Sequence, residues 1–418
     1  MGGETRARPA WRLRLIVRAV LVLVVAAAAI WLTLAMSLTT VLRKQNPEAA
    51  LGWWSPDADA RVQAAYAILQ RDRSPIALAR ARTLAIGAVV REPVNAAGVR
   101  TVGLLDAMAG NQARAQRIMA YAQMLSRRDV VAQIWLIEQE VQRNNIEGAL
   151  RHYDRALRVS REPRALLIPI LVQSSSDPAI ARPLGALLER RPSWRFAFAE
   201  QLTAESRSAV TLAYLIRRLG LNPADERDRN FILRALRRMV ELGDHRRAYA
   251  LYRDARGAGA PGPAQVRNGD FESGDPGFPP FDWHYVSEGG LGAFREAREG
   301  APGTAALTLS ASTGRNGEVA RQLLILAPGR YRISALAGDV GSDEMSRPQV
   351  AVLCAVRGGQ DLLRASLPAA GSAPVRMQQG FSVPASGCAA QWLSIVARSD
   401  LQTGASEPWI DSIAIARD

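Results

Sequence analysis

The side chains with chemistry to offer are few and scattered. His152, His245 and His284 stand far apart in unrelated contexts, so no two have the spacing of metal ligands. His152 and His245 adjoin Arg and Asp in helical sequence, which predicts solvated faces for both. Cys354 and Cys388 have no histidine beside them and are too few for zinc. They can form one disulfide or remain two buried thiols. Carboxylate pairs such as Asp343-Glu344 fall in turn-like sequence, where solvation is the ordinary state. A glycosidase needs two carboxylates across a cleft. No glycine-rich phosphate loop or nucleophile elbow occurs. The expectation is a protein that is not an enzyme. What remains is a set of rings near the C-terminal end, Phe278, Phe281, Trp283, Tyr285, Phe294 and Trp392. Rings of this kind act by stacking rather than by making bonds.

The elements that must position these groups begin with residues 19–42, which contain 24 residues and no charge. At about 1.5 Å rise per residue they can cross about 30 Å of hydrocarbon. Arg6, Arg8, Arg12, Arg14 and Arg18 precede the stretch, and Arg43 and Lys44 follow it. The heavier positive flank predicts a cytoplasmic tail over 1–18 and a single transmembrane helix over 19–42, with everything beyond outside that membrane. A cleaved signal peptide is the alternative. Its apolar core is usually about 7–15 residues and ends at small residues, unlike Ser37 to Leu42. Either reading delivers the chain to an oxidising side and favours a Cys354–Cys388 disulfide. Lys44 is the only lysine among 53 basic residues, which with the high alanine content suggests a GC-rich bacterial genome. The expected location is therefore a bacterial inner membrane with the bulk of the chain in the periplasm.

Charge is uneven. Residues 1–44 carry +6, residues 45–263 carry +11 and residues 264–418 carry −3. A basic surface outside the membrane can meet anionic lipid or acidic glycan; nucleic acid is not an expected partner. Residues 43–56 (with Trp53, Trp54 and two prolines) form a connector whose tryptophans can sit at the membrane interface or cap the first helices. From 57 to 256 apolar residues recur at three and four, the period of helices. Ala81, Ala115 and Ala149 are spaced by 34, and so are Ala88, Ala122 and Ala156. Gly103 stands twelve before Ala115, Gly110-Asn111 and Asn144-Asn145 mark turns, and Pro93 stands twelve after Ala81. This region resembles the tetratricopeptide repeat. Asp106 and Gln133 depart from it, occupying places where the family keeps apolar or aromatic residues. Gly243, Ala248 and Ala255 mark a later helix pair out of register, and Pro178, Pro183, Pro192 and Pro223 predict breaks between short helices. The resemblance implies an all-α solenoid whose groove holds a protein partner.

Residues 257–263 (GAGAPGP) read as a linker, and beyond it the period changes to two. Strands are expected at 304–310, 319–326, 330–337, 349–356, 375–383, 391–397 and 409–415, giving an all-β sandwich over 264–418. The order NGDFESG (268–274), PGRY (328–331) and WIDSIAI (409–415) is similar to the jelly-roll carbohydrate-binding modules of the galactose-binding-like superfamily. That resemblance implies glycan contact through exposed rings, with Phe278, Tyr285, Trp283 and Trp392 as candidates. It also implies a structural calcium held in part by Glu272 and Asp411. The combined expectation is a membrane-anchored envelope adaptor. Its solenoid binds a protein and its sandwich binds a polysaccharide, in the setting of exopolysaccharide assembly or secretion. The alternative is a purely structural, protein-interaction scaffold.

Overall fold

A computed structural model describes residues 10–159, 161–257, 262–356, 358–399 and 407–418, with side chains from residue 14. The first nine residues of the basic tail and residues 258–261 of the linker therefore lie outside the described residues. The chain divides into two compact units, Met1–Pro163 and Arg164–Asp418.

The first unit opens with α1 (Ala10–Gln45), 36 residues long. Among the described residues it is the one helix long and apolar enough to cross a membrane. A short helix, α2 (Pro47–Trp53), is capped by Asn46 and turns back along it. Three helix hairpins follow: α3 (Ala58–Arg71) with α4 (Pro75–Arg91), α5 (Ala96–Met108) with α6 (Gln112–Leu125), and α7 (Val130–Gln142) with α8 (Ile146–Val159). Asp57, Ser74, Asn95 and Asp129 each accept a first-turn backbone N–H, which is why the helices start where they do. The two alanine series fall on α4, α6 and α8, and all six residues are buried. Gly103 on α5 lets α6 approach, since a Cβ there would meet Ile118 and Met119 at 3.2 Å. Gly110 and Asn144 take the left-handed conformation their turns require.

The two departures from the repeat pattern have a physical reason. Asp106 is buried and receives Arg82 from α4 and Arg114 from α6. Gln133 is buried against His152, with its Oε1 at 2.7 Å from Nδ1. Polar pairs between helices thus stand where large rings would otherwise pack. His152 and His245 are buried, which corrects the expectation of solvated faces.

The second unit contains α10 (Pro178–Glu189), α11 (Arg195–Glu205), α12 (Ala209–Arg218), α13 (Glu226–Glu241) and α14 (His245–Arg256), after α9 (Glu162–Ser174), which starts just before the boundary. Pro183 lies inside α10 instead of breaking it, while Pro178 begins that helix and Pro192 and Pro223 lie between helices.

Two antiparallel sheets complete the unit. The first holds β1 (His284–Tyr285), β5 (Asn316–Leu324), β10 (Gln391–Arg398), β7 (Gln349–Cys354) and β8 (Asp361–Ser366), in that order. The second holds β2 (Ser287–Glu288), β3 (Leu291–Glu296), β4 (Ala306–Ala311), β11 (Trp409–Arg417), β6 (Gly329–Gly338) and β9 (Val375–Val383). Their inner faces share a core that includes Leu307, Ile333, Val352, Leu393, Ile395 and Ile410. All seven expected strands are present. The four others are two-residue ladders (β1 and β2) or six-residue strands whose exposure does not alternate (β3 and β8). Cys354 and Cys388 are joined in a disulfide that ties the end of β7 to the turn before β10.

Candidate functional site

The segment that opens the sandwich packs against α13 and α14. Arg267 is buried, and its guanidinium lies 5.3 Å from the Tyr252 ring and 5.7 Å from the Phe281 ring. It donates to the main-chain oxygens of Phe281 and Leu323 at 2.8 and 3.3 Å. Tyr252 donates its hydroxyl to Asp282 at 2.9 Å, and burial first, then the Asp282 charge, pushes that phenol up to about 12. Arg256 pairs with Asp275, and Arg229 donates to the Gly277 carbonyl while covering the Phe278 ring at 4.6 Å.

This packing decides the fate of two candidate rings. Phe278 is 5% exposed and Trp283 is 4% exposed. Trp283 rests on Phe271 and donates its indole N–H to Asn268 at 3.1 Å. Neither presents a free face, so both are withdrawn as glycan contacts. Apolar rings in a loop-rich opening are what a helix–sandwich seam needs, and sequence alone does not distinguish that from a surface. Tyr285 sits on edge strand β1 and is 37% exposed; burial of the remainder raises its phenol above the ordinary value.

Trp392 lies on β10, where core residues Leu393, Ile395 and Ala397 alternate with Trp392, Ser394 and Val396 on the outer face. Trp392 is half-buried, with the Arg321 guanidinium 4.7 Å from its ring. Register places Ser394 opposite Arg321 on β5 and Ala351 on β7, with Arg364 of β8 beyond. Ser394 donates to Glu318 at 2.6 Å, Arg321 pairs with Glu318 at 3.4 Å, and Gln349 donates to Ser366 at 3.3 Å. His284 of β1 stands opposite Arg321, and partial desolvation with the Arg321 and Arg237 charges holds its imidazole below the ordinary value. The outer face of this sheet therefore carries a half-buried indole between Leu323 and Leu353, with Arg321 and the buried Ser394 in the next row. That arrangement suits stacking on an apolar sugar face with hydroxyls bonded at its edge. The alternation on 391–397 was the one sequence signal that could have separated Trp392 from the buried rings.

Glu272 accepts the backbone N–H of Thr304 at 2.7 Å, that of Ala305 at 3.1 Å, and the Thr304 hydroxyl. The Thr304 hydroxyl is the main reason its carboxyl is held low. Asp411 is 1% exposed; one oxygen accepts the Ser412 N–H and Oδ2 has no hydrogen-bond partner. Burial raises its pKa, and the charges of Asp270 and Glu272 raise it further. An orphaned buried oxygen that feels the charges of two other acids is what a hard cation would neutralise. The calcium fit is partial, because Glu272 is already engaged and calcium takes six to eight oxygens. Among the described residues no three Asp, Glu, His or Cys side chains converge on a metal position.

In the first unit, Val89, Val99, Val102, Arg117, Ile118 and Tyr121 line an apolar cleft of about 310 Å³ between α4, α5 and α6. Its walls accept an apolar side chain, and Arg117 offers a charge at its margin.

No protein-family model and no curated protein matches the chain. It is similar to several solved structures. A CBM4 structure is 15% identical, over 37% of this chain and 99% of that one, with a TM-score of 0.29. TmCBM61, solved with β-1,4-galactotriose, is 15% identical over 37% of this chain and 97% of that one, with a TM-score of 0.27. YrrB, a TPR protein with an unusual peptide-binding site, is 13% identical over 50% of this chain and 97% of that one, with a TM-score of 0.28.

Proposed function

We propose that this protein is a non-enzymatic adaptor of a bacterial envelope, anchored by α1 with its N-terminus in the cytoplasm and its bulk in the periplasm. In this reading the outer face of the first sheet binds a polysaccharide, with Trp392 stacking on a sugar ring and Arg321, Glu318 and Gln349 serving its hydroxyls. The cleft at Val99 and Tyr121 holds an apolar side chain of a protein partner. Assembly or secretion of an exopolysaccharide is the setting. Nucleic acid has no part in it. The observation that carries the glycan half is the half-buried outer-face indole of Trp392 with the Arg321 guanidinium against it. A structural calcium at Asp411 Oδ2, its shell completed by main-chain oxygens, belongs to the same proposal.

Affinity electrophoresis of the full chain through gels containing envelope polysaccharides tests the glycan half. Retardation by one polysaccharide should be lost in Trp392→Ala and kept in Phe294→Ala, an exposed ring on the other sheet. No retardation by any of them would favour the second reading, a protein-interaction scaffold. That alternative has an observation of its own. Burial of Phe278 and Trp283 leaves the sandwich with fewer stacking rings than its sequence promises.

A further inference from the structure

We propose that bilayer hydrocarbon ends at the level of Trp31, and that the second half of α1, with α2, stands above it. This inference rests on the reading of α1 as a membrane anchor. Leu15, Ile16, Val20 to Val25 and Ile30 are all exposed, as lipid-facing side chains are. Above Trp31 the helix is covered on one side only, while Leu34, Met36 and Val41 on its other side stay exposed. Ala35 and Thr39 are fully covered, and the Thr39 hydroxyl lies 3.4 Å from the Ala50 carbonyl of α2. Since α2 runs back down α1, its end comes level with the middle of the helix. The Trp54 ring is 6.2 Å from that of Trp31.

The turn after Trp54 fixes the depth. Ser55 to Asp57 has no helical hydrogen bonding of its own. The Ser55 carbonyl accepts from Arg61 at 2.8 Å, and Asp57 caps α3 through the Ala60 N–H at 2.6 Å. Irregular backbone, a carboxylate and a guanidinium facing lipid would each cost several kcal/mol, so such a turn does not stand in hydrocarbon. The boundary must therefore lie at or below Trp31. Leu15 to Trp31 is 17 residues, about 25 Å of helix and enough for a thin span, with Arg14 and Arg18 reaching back to the opposite headgroups. Trp31, Trp53 and Trp54 then form an aromatic belt at the headgroup level. The apolar run in the sequence continues to Leu42, about 16 Å higher by helical rise. One side of that upper part packs on α2 and α3, which cover Ala35 and Thr39.

Single cysteines read this depth directly, since both native cysteines are in the disulfide. The full chain is reconstituted in liposomes and a membrane-impermeant maleimide is supplied to both faces. Val24→Cys should label to less than about a tenth of its extent in denaturant, shielded by hydrocarbon. Val41→Cys and Thr40→Cys, both exposed on α1, should label as fully as in denaturant. Protection at 24 together with protection at 40 and 41 would overturn the inference while leaving the anchor intact. Labelling at 24 would overturn the anchor and this inference with it.

Discussion

Acidification from pH 7 to pH 5 should loosen the α7–α8 hairpin through one residue, His152. Its ring is 8% exposed and its Nδ1 lies 2.7 Å from Gln133 Oε1. Burial, then the neighbouring Arg155 charge, lowers its pKa to about 4, against a small opposing pull from Glu140. The folded value is depressed below the unfolded one, so the unfolded hairpin takes up the proton first. Stability from this group is therefore complete above about pH 6.5 and is lost as pH falls toward the folded value. With those two values the loss reaches about 2 kcal/mol at pH 5, or about 1–2 kcal/mol once solvent screening of the nearby charges is discounted. Hydrogen exchange resolved to peptides of α7 and α8, corrected for the intrinsic rate, should show about 5- to 30-fold more opening at pH 5 than at pH 7. A local readout is needed because His245 in α14 is also held low by burial. His152→Gln, which titrates nothing, should remove the pH dependence. A wild-type hairpin whose protection is flat between pH 7 and 5, or a His152 ring that titrates near 6.5, would refute the reasoning.

Three further outcomes are expected in the second unit. Trp392→Ala should weaken binding of a retarding polysaccharide by on the order of tenfold, while Tyr285→Ala changes it less, measured by affinity electrophoresis. Asp411 has a raised folded pKa, so its contribution is most favourable at low pH and is lost as pH rises through that value. Asp411→Asn should then raise the melting temperature at pH 7 in chelator, and added calcium should stabilise the wild type but not the variant; a wild type indifferent to calcium would remove the ion from the proposal. Replacing Cys354 and Cys388 with alanine should cost about 2–4 kcal/mol in denaturant unfolding under non-reducing conditions, with no loss if the loop is already constrained by the sheet.

Much of the architecture is written in small residues and periods. Ala81, Ala115 and Ala149 announced the stacked hairpins because close helix approach admits nothing larger. Strands β5, β6, β10 and β11 were legible because each has one face in the core. The polar side of the same logic was harder to read. Asp106 and Gln133 looked like flaws in a repeat, since a buried carboxylate or amide declares itself only when its partner, here Arg82 or His152, is brought in from another helix. The site was legible in half. Phe278 and Trp283 have the residue types of a binding surface, but their burial depends on Arg229 and Asn268, which sequence order does not bring together. Trp392 differs because its strand alternates, and alternation reports a face.

The seam around Arg267 bears on how this chain can be divided. Tyr249 and Tyr252 come from α14 and Phe281 from the sandwich, and their rings meet at 5.4 and 5.2 Å. A fragment begun at residue 264, where composition invites a cut, would bare Phe278 and Phe281 to water and strip Asp275 and Asp282 of their arginine and tyrosine partners. Sticky, poorly folded material from such a fragment would say nothing about sugar. Any excised piece must retain at least α13 and α14, and these pack in turn on α11 and α12. By the same token, a lineage that exchanged the sandwich alone would inherit an unmatched aromatic seam, so helices and sandwich are expected to be swapped, lost or duplicated as one piece.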